Sequence, residues 1–136
     1  MYYGAITNYP DGISSFGMPV LPAIDDQKST GKVFFVSSVI GSNGNSGLSK
    51  SQPFATLDKA FDTSKVRANK GDIVFLMENH AETISAAAGA DLDVAGVTII
   101  GLGQGDDRPT FTFTTATGAD IDIDAANIRI QNVVFL

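Results

Sequence analysis

Two stretches of the chain, "TISAAAGADLDV" (83–94) and "TFTTATGADIDI" (112–123), are copies of one pattern. They align without a gap at an offset of 29 residues, and six of their twelve positions are identical. After a two-residue insertion, "AGVTIIGL" (95–102) continues the match on "ANIRIQNV" (126–133). Gly101 then aligns with Asn132, and both residue types tolerate a positive φ. We therefore expect the same tight turn to recur once per repeat.

The repeat unit is built of short apolar or alternating segments, which predicts an all-β fold. A period of 20–30 residues made of such strands indicates a β-solenoid. Leucine-rich repeats share the period, but their Leu/Asn ladder is missing, and a β-sandwich gives no reason for a sequence repeat. A chance match between Ala/Thr/Asp-rich segments is the remaining alternative. Strands are predicted at 32–40, 72–77, 82–86, 97–102, 110–115, 120–124 and 128–136.

One amphipathic helix is predicted within "SQPFATLDKAFDTSKVRANKGD" (51–72), with Pro53 in its first turn and Gly71 at its end. Phe54, Leu57 and Phe61 share a face with Ala60 at helical spacing. A solenoid exposes core and unpaired strand edges at its first coil. We expect this helix to cover that end, with the capping residues Phe54, Leu57 and Phe61 facing the core.

The two ends of the chain are less regular. Residues 1–30 combine apolar side chains with Pro and Gly, which predicts an extended docking arm and linker with at least one tight turn. Residues 31–136 form the capping strand and helix and the first coils. The chain stops at "NVVFL" (132–136), in an apolar strand, after fewer coils than a stable solenoid needs. We expect a longer chain or other subunits to cover that end.

Composition excludes several classes of function. The net charge is −6, and residues 71–136 hold ten acidic against two basic side chains, so nucleic acid is not the expected partner. Without cysteine there is no disulfide framework and no thiolate metal site. The sequence has no run of 18 apolar residues, so no membrane span is predicted. No secretory signal is recognisable at the N-terminus.

Three groups of residues carry side chains of the kinds that metal binding or acid–base catalysis requires. "DIDID" (120–124) would place three carboxylates on one strand face, and together with Asp91 and Asp93 of the neighbouring coil these would offer oxygen ligands for Ca²⁺. The EF-hand pattern fails, and a solvated face with Ile121 and Ile123 inward is the preferred interpretation. Asp106, Asp107 and Arg108 would offer a carboxylate pair with a base, but a charged turn is the better interpretation of "GQGDDRP" (103–109), which overlaps the glycine-rich "GLGQG" (101–105).

His80 is the sole histidine, and with no nucleophile or second ligand nearby it is interpreted as structural. "GLGQG" lacks the Gly-Lys-Ser/Thr ending of a phosphate loop. We therefore predict no enzyme, no catalytic residue, no cofactor and no metal, unless a longer solenoid follows residue 136.

Residues 47–84 resemble the opening of right-handed parallel β-helix proteins of the pectin-lyase-like group, in which a Ser-x-Pro-Phe-Ala-Thr-Leu helix leads into Gly-Asp-x-Ile/Val. Residues 94–113 resemble their second coil, and the combination of "VTIIGLG" with "DRPTFTFTTATGA" is similar to bacteriophage virion proteins, as is "AITNYPDGISSFGMPV" (5–20). The resemblance implies a right-handed parallel β-helix used as a tailspike, fibre or capsid decoration, commonly a trimer. It brings no lyase catalytic motif with it.

The sequence thus predicts a structural virion protein, a capsid decoration or fibre, made in the host cytoplasm. Its expected partners are capsid or tail proteins and two further copies of itself. Partner docking is assigned to the arm, because exposed aromatic side chains are costly in water. One alternative is a tailspike-type protein that degrades or grips cell-surface polysaccharide, and another is a bacterial or host adhesin. The predicted docking residues are Tyr2, Tyr3, Ile6, Tyr9, Phe16 and Met18.

Overall fold

The computed structural model describes residues 31–62, 65–114 and 118–136, together with the backbone of Ser14–Ser15 and Met18–Pro19. This part of the chain is mostly β-strand with one short α-helix, so the all-β prediction is correct. The single helix, α1, is Leu57–Phe61. The strands are β1 Ser14–Ser15, β2 Met18–Pro19, β3 Val33–Val36, β4 Ile73–Leu76, β5 Ala81–Ile84, β6 Ala90–Asp91, β7 Thr98–Gly101, β8 Thr110–Phe113, β9 Ile121–Asp122, β10 Arg129–Gln131 and β11 Val134–Phe135.

Strands β3 to β11 form three parallel sheets. The first sheet has the order β3-β4-β7-β10, the second β5-β8-β11 and the third β6-β9. Each pass of the chain therefore adds one strand to each sheet in the same sequence, β4-β5-β6 and then β7-β8-β9, before β10 and β11 begin the next pass. Strands β1 and β2 pair separately and antiparallel.

In-register pairing stacks equivalent residues directly over one another. In the first sheet Phe34 pairs with Val74, Val74 with Ile99, and Ile99 with Ile130. Because side chains alternate along a strand, this column lies on one face. The main core lies there, and α1 contributes Leu57, Ala60 and Phe61 to it.

The pairing corrects part of the internal alignment. Thr83 pairs with Thr112 at the expected offset of 29, but Asp91 pairs with Asp122, an offset of 31. The two-residue insertion therefore lies within the first aligned block and not after it. The extra residues lie between β8 and β9, where Asp120 turns back: its backbone oxygen accepts from Gly89 N and its carboxylate from Ala88 N.

The predicted recurring turn exists, but at a different position. Gly71, Gly96 and Asn127 each stand two residues before a strand of the first sheet and have φ values of 73°, 75° and 60°. Gly101 has no positive φ and belongs to β7, whereas its partner Asn132 has φ 56° and separates β10 from β11. The prediction of a shared turn at Gly101 and Asn132 is wrong.

The helix is much shorter than the predicted one. Phe54 is extended, not helical, because it forms a parallel bridge with Val36, and Thr56 before α1 is also extended, with φ −128° and ψ 152°. After Phe61, Asp62 already has ψ 142°. The hydrophobic spacing identified the buried side chains correctly, but strand pairing replaces the first predicted turn.

Several predicted strands are also shorter or divided. The first, predicted to reach residue 40, ends at Val36, since a turn follows in which Ser37 Oγ accepts from Val39 N and Ser37 O accepts from Gly41 N. The last, predicted over 128–136, is split at Asn132.

Gly101 provides a test of the β7–β10 pairing. A Cβ at Gly101 would lie 2.2 Å from Asn132 O, so Gly101→Ala must push the strands apart. We expect it to lower the free energy of unfolding by about 1–3 kcal/mol, measured by urea denaturation. Gly44→Ala is the control, because the nearest atom to its Cβ, Ser42 Oγ, is 3.7 Å away. Equal stability of the two variants would contradict this pairing.

Candidate functional site

The capping residues lie together beside the first strand. Phe54, Leu57 and Phe61 are all buried in the main core, and the rings of Phe34 and Phe54 stack with centroids 6.2 Å apart. Lys65 Nζ lies 5.6 Å from the centroid of the Phe54 ring, within the range of a cation–π contact.

The loop before α1 occupies the outer edge of β3. Phe35 N donates to Gly47 O, Phe54 N to Phe35 O, and Ser37 N to Phe54 O. These bonds satisfy backbone groups that an edge strand would otherwise expose to another chain. Gly47 permits the close approach, because its φ is 71° and a Cβ there would lie 2.2 Å from the Phe54 ring.

Thr56, the residue before α1, makes no side-chain capping bond. Two side chains that are distant in the sequence instead accept hydrogen bonds from the backbone amides at the start of the helix. Asn43 Oδ1 accepts from Ala55 N and Thr56 N, and Glu82 Oε1 accepts from Leu57 N. Glu82 of β5 pairs in register with Phe111 of β8, and Phe111 lies in the main core. Glu82 is therefore on the core-facing side of its strand. A carboxylate at this inward position is explained by the helix amide that it binds.

His80 lies beside this carboxylate and is buried. Its Nδ1 accepts from Ser38 N at 2.9 Å, which places the ring proton of the neutral form on Nε2. Nε2 lies 3.0 Å from Glu82 Oε1, but the N–H is not directed at that oxygen, so the contact is a close charge–dipole approach without a hydrogen bond. The imidazole also meets the Phe111 ring edge-on at 5.7 Å.

This constellation of Ser, His and Glu does not have the geometry of a nucleophilic triad. The imidazole faces the backbone amide of Ser38, while Ser38 Oγ accepts from Ala81 N. A serine nucleophile needs its hydroxyl on the imidazole nitrogen. The group instead ties the turn after β3 to the start of β5.

Asp72 joins three segments at the start of β4. Its side chain is fully buried, Oδ1 accepts from Lys32 N and Arg67 Nη2, and Oδ2 accepts from Arg67 N and Nε. Burial alone would raise the pKa of Asp72, but the hydrogen bonds from Arg67 and from the two backbone amides outweigh it and hold that pKa below its usual range. Arg67, which lies within the segment predicted to contain the helix, binds this carboxylate.

An acidic cluster lies along β6 and β9, beside α1. The pKa of Asp91 is raised, first by burial and then by the charges of Asp93, Asp124, Asp122 and Asp58. Asp91 N donates to Asp58 Oδ1, and Asp91 Oδ1 has no hydrogen-bond partner. Within residues 31–62, 65–114 and 118–136, no three His, Asp or Glu side chains are arranged to hold a metal ion.

The "DIDID" segment does not form the predicted five-residue strand. Only Ile121–Asp122 is a strand, and Asp120 is directed back to Ala88 N. Ile121 packs on the core as expected, but Ile123 is 54% exposed, so its predicted inward position is wrong. The chain leaves the sheet after Asp122, and alternation ends with it.

The charged turn contains Asp106 and Asp107, both exposed, in a 3₁₀ turn of Gly105–Asp107. Arg108 Nε donates to Gly105 O at 2.9 Å, and Asp107 O accepts from Asn79 N. These bonds lie within the turn and between the turn and Asn79. The described positions of Asp106 and Asp107 do not make a pair of carboxylates across a cleft.

A shallow cavity of about 330 Å³ opens at the carboxyl ends of the first sheet. Its wall includes Val39, Ile40, Met77 and Leu102, with Lys50 at its border. Val39 and Ile40 are more than half exposed. The wall is mainly apolar, which suits contact with a partner better than acid–base chemistry.

Most of the predicted docking residues of the arm lie outside the part of the chain that the structure describes. Tyr2, Tyr3, Ile6, Tyr9 and Phe16 lie outside the described residues, and Met18 is described as part of the β2 backbone alone. Their assignment to partner docking stays a prediction.

Comparison with known proteins found no matching family model, no matching curated protein and no matching solved structure. No helix of the described residues is long and apolar enough to cross a membrane.

Asp72 gives a pH-dependent prediction. Because its pKa is lower when folded than the unfolded value near 3.9, its contribution is present above about pH 4 and is lost as the pH falls through the folded pKa. Asp72→Asn should lower the free energy of unfolding by about 2–4 kcal/mol at pH 7. Urea denaturation should show a smaller difference from wild type at pH 3. Asp106→Asn is the exposed control, and an equal loss at both pH values would contradict the assignment.

Glu82 gives a second prediction. Glu82→Ala leaves Leu57 N without its acceptor and should cost about 1–3 kcal/mol. Glu82→Gln keeps an acceptor oxygen and should cost less, and Thr83→Ala, on the exposed face of the same strand, should change stability by less than about 0.5 kcal/mol. Thermal and urea unfolding measure all three. If the Gln and Ala variants are equally unstable, the hydrogen bond to α1 is not what Glu82 provides.

Proposed function

We propose that this chain is a structural virion protein of a bacteriophage, a capsid decoration or fibre. In this proposal the three sheets are the beginning of a right-handed parallel β-helix, and the arm attaches it to the particle. The support for the fold comes from the sheets themselves, because each pass of the chain adds one in-register strand to each sheet. The support for the virion role comes from the resemblance of residues 5–20, 47–84 and 94–113 to such proteins.

The observation that carries the proposal is the contrast between the two ends of the stacked sheets. At β3 the loop with Gly47 and Phe54 satisfies the strand edge, and the capping residues fill the core. At the other end, β10 and β11 have strand partners on one side, and Phe135 and Leu136 are more than half exposed. A stack whose first strand, β3, is closed suits an element that attaches at that end, where residues 1–30 precede it in the sequence.

Oligomerisation belongs to the same proposal. A homotrimer about an axis along the stack would place lateral faces of the sheets against one another, and the exposed Ile123 would be buried between copies. Light scattering of the intact chain measures this directly. The proposal includes neither an enzymatic activity nor a nucleic-acid or membrane partner, and it places the protein in the virion after synthesis in the host cytoplasm.

The attachment can be tested with the aromatic start of the arm. A variant with Tyr2, Tyr3, Ile6 and Tyr9 changed to Ser removes apolar side chains and leaves residues 31–136 intact. We expect it to fold normally by circular dichroism but to be lost from particles that are purified from a lysate in which it replaces the original chain. A matched variant with Ser at Val39 and Ile40 tests a different exposed apolar surface and should be retained.

The result also separates the alternative function. Unchanged incorporation of the arm variant would contradict attachment through these residues. Release of reducing sugars from cell-surface polysaccharide by purified particles, lost when the protein is absent, would support the tailspike alternative and contradict a purely structural role.

A further inference from the structure

The first sheet is apolar on both faces. Phe34 and Val36 of β3 point into the main core, so the residues between and beside them point to the opposite, outer face. A second cluster of buried side chains lies there, separate from the main core. We call it the outer-face cluster; it consists of Phe35, Ile73, Phe75 and Ile100.

These side chains are as inaccessible as those of the main core. Phe75 is 0% exposed, and Phe35 and Ile100 are each 3% exposed. The rings of Phe35 and Phe75 stack with centroids 5.9 Å apart, but such a contact covers ring faces within the sheet and not the side turned away from it. A side chain on an uncovered sheet face keeps part of its surface in water, so other atoms must lie over this face.

No apolar side chain of the described residues outside this sheet and its strand ends packs on the outer-face cluster. The apolar side chains described as packing on the outer-face cluster are Val33, Met77 and Leu102, which belong to strands of the same sheet or directly follow them. Outside the arm, the residues not described are Thr63, Ser64 and the Thr-Ala-Thr of 115–117, which are short and mostly polar. The arm is the one undescribed segment with enough apolar side chains.

The exposure of the residues on the outer face shows how many strands are covered. In one column Thr98 of β7 pairs with Arg129 of β10, and in the next Ile100 pairs with Gln131. Thr98 is 6% exposed, whereas Arg129 is exposed. The apolar face is therefore three strands wide, about 10 Å between the outer strand axes, and it becomes polar at β10.

The arm can reach this face without strain. The polar segment "DDQKSTG" (25–31) leads directly into β3, and seven extended residues span up to about 23 Å. Preceding it, residues 13–24 contain the apolar side chains of Ile13, Phe16, Met18, Val20, Leu21 and Ile24. Within this segment the β1–β2 backbone forms an antiparallel pair.

We propose that residues 13–24 of the same chain dock on the outer face of β3, β4 and β7. This goes beyond the proposed function and does not depend on it. It divides the arm in two, with Phe16 and Met18 facing the chain's own sheet and Tyr2, Tyr3, Ile6 and Tyr9 left for another protein. The docked segment serves as the missing layer on the second face of the sheet.

Cysteine reactivity tests the docking, because the natural chain has no cysteine. Thr98→Cys places a thiol under the proposed cover, and Arg129→Cys places its control in the same column one strand away. Each is combined with Phe16→Asp and Leu21→Asp in the otherwise complete chain. We expect the arm substitutions to raise the rate of maleimide labelling at position 98 by at least about tenfold and to leave the rate at position 129 unchanged. An unchanged rate at position 98 would overturn the proposal.

A second readout decides the matter if the Asp variant fails to fold. A specific protease site inserted in residues 25–31 allows the folded, otherwise natural chain to be cut after purification. Co-elution of the N-terminal peptide with the remainder in gel filtration supports docking, and its release with position 98 still protected overturns it. Protection that disappears on dilution to the monomer would assign the cover to a second copy and would also overturn it. Neither readout involves particles, so failure of the virion proposal leaves this result intact.

Discussion

In-register parallel stacking is the constraint on which the rest of this structure depends. Each pass of the chain places its residues directly over those of the previous pass, so one column must suit one environment. The Phe34, Val74, Ile99 and Ile130 column meets this requirement with apolar residues throughout. The third sheet instead stacks Asp91 over Asp122. The pKa of Asp91 is raised, first by burial and then by the charges of the neighbouring acidic residues, Asp122 among them.

Much of the architecture was predictable because the repeat and the strand pattern both reflect this stacking. The repeat gave the β7–β10 register correctly, since Gly96 and Asn127 hold equivalent turns before equivalent strands. It misplaced the insertion because Gly89-Ala90-Asp91 and Gly118-Ala119-Asp120 are identical in sequence, whereas the pairing aligns Asp91 with Asp122. Identity within a turn does not report the register of the strand that follows, since turns absorb extra residues that strands cannot.

The side chains around α1 were only partly predictable. Hydrophobic spacing identified Phe54, Leu57 and Phe61 as buried, but not the long-range contacts that hold them. Asn43 and Glu82 accept hydrogen bonds from amides at the start of the helix, although they lie 13 and 25 residues from them in the sequence. Asp72 accepts a hydrogen bond from Lys32 N, 40 residues before it. These are single polar residues in unremarkable local sequences, and their partners become neighbours only when the passes stack. An inward glutamate in an alternating strand, as in "ETI" (82–84), was the one available signal.

The two faces of the first sheet finally explain why an apolar arm precedes a domain that has its own capping residues. Loop residues and α1 close the edge of β3 and fill the main core, but none of their described apolar side chains packs on the outer-face cluster. A parallel sheet with two apolar faces needs a layer on each, and the outer face is apolar only as far as β7. In the proposed docking, residues 13–24 supply the outer layer over β3, β4 and β7, and none is needed where polar residues such as Arg129 and Gln131 take over the same columns. In this proposal residues 13–24 of the arm cover the first strands, and the residues before them attach to a partner.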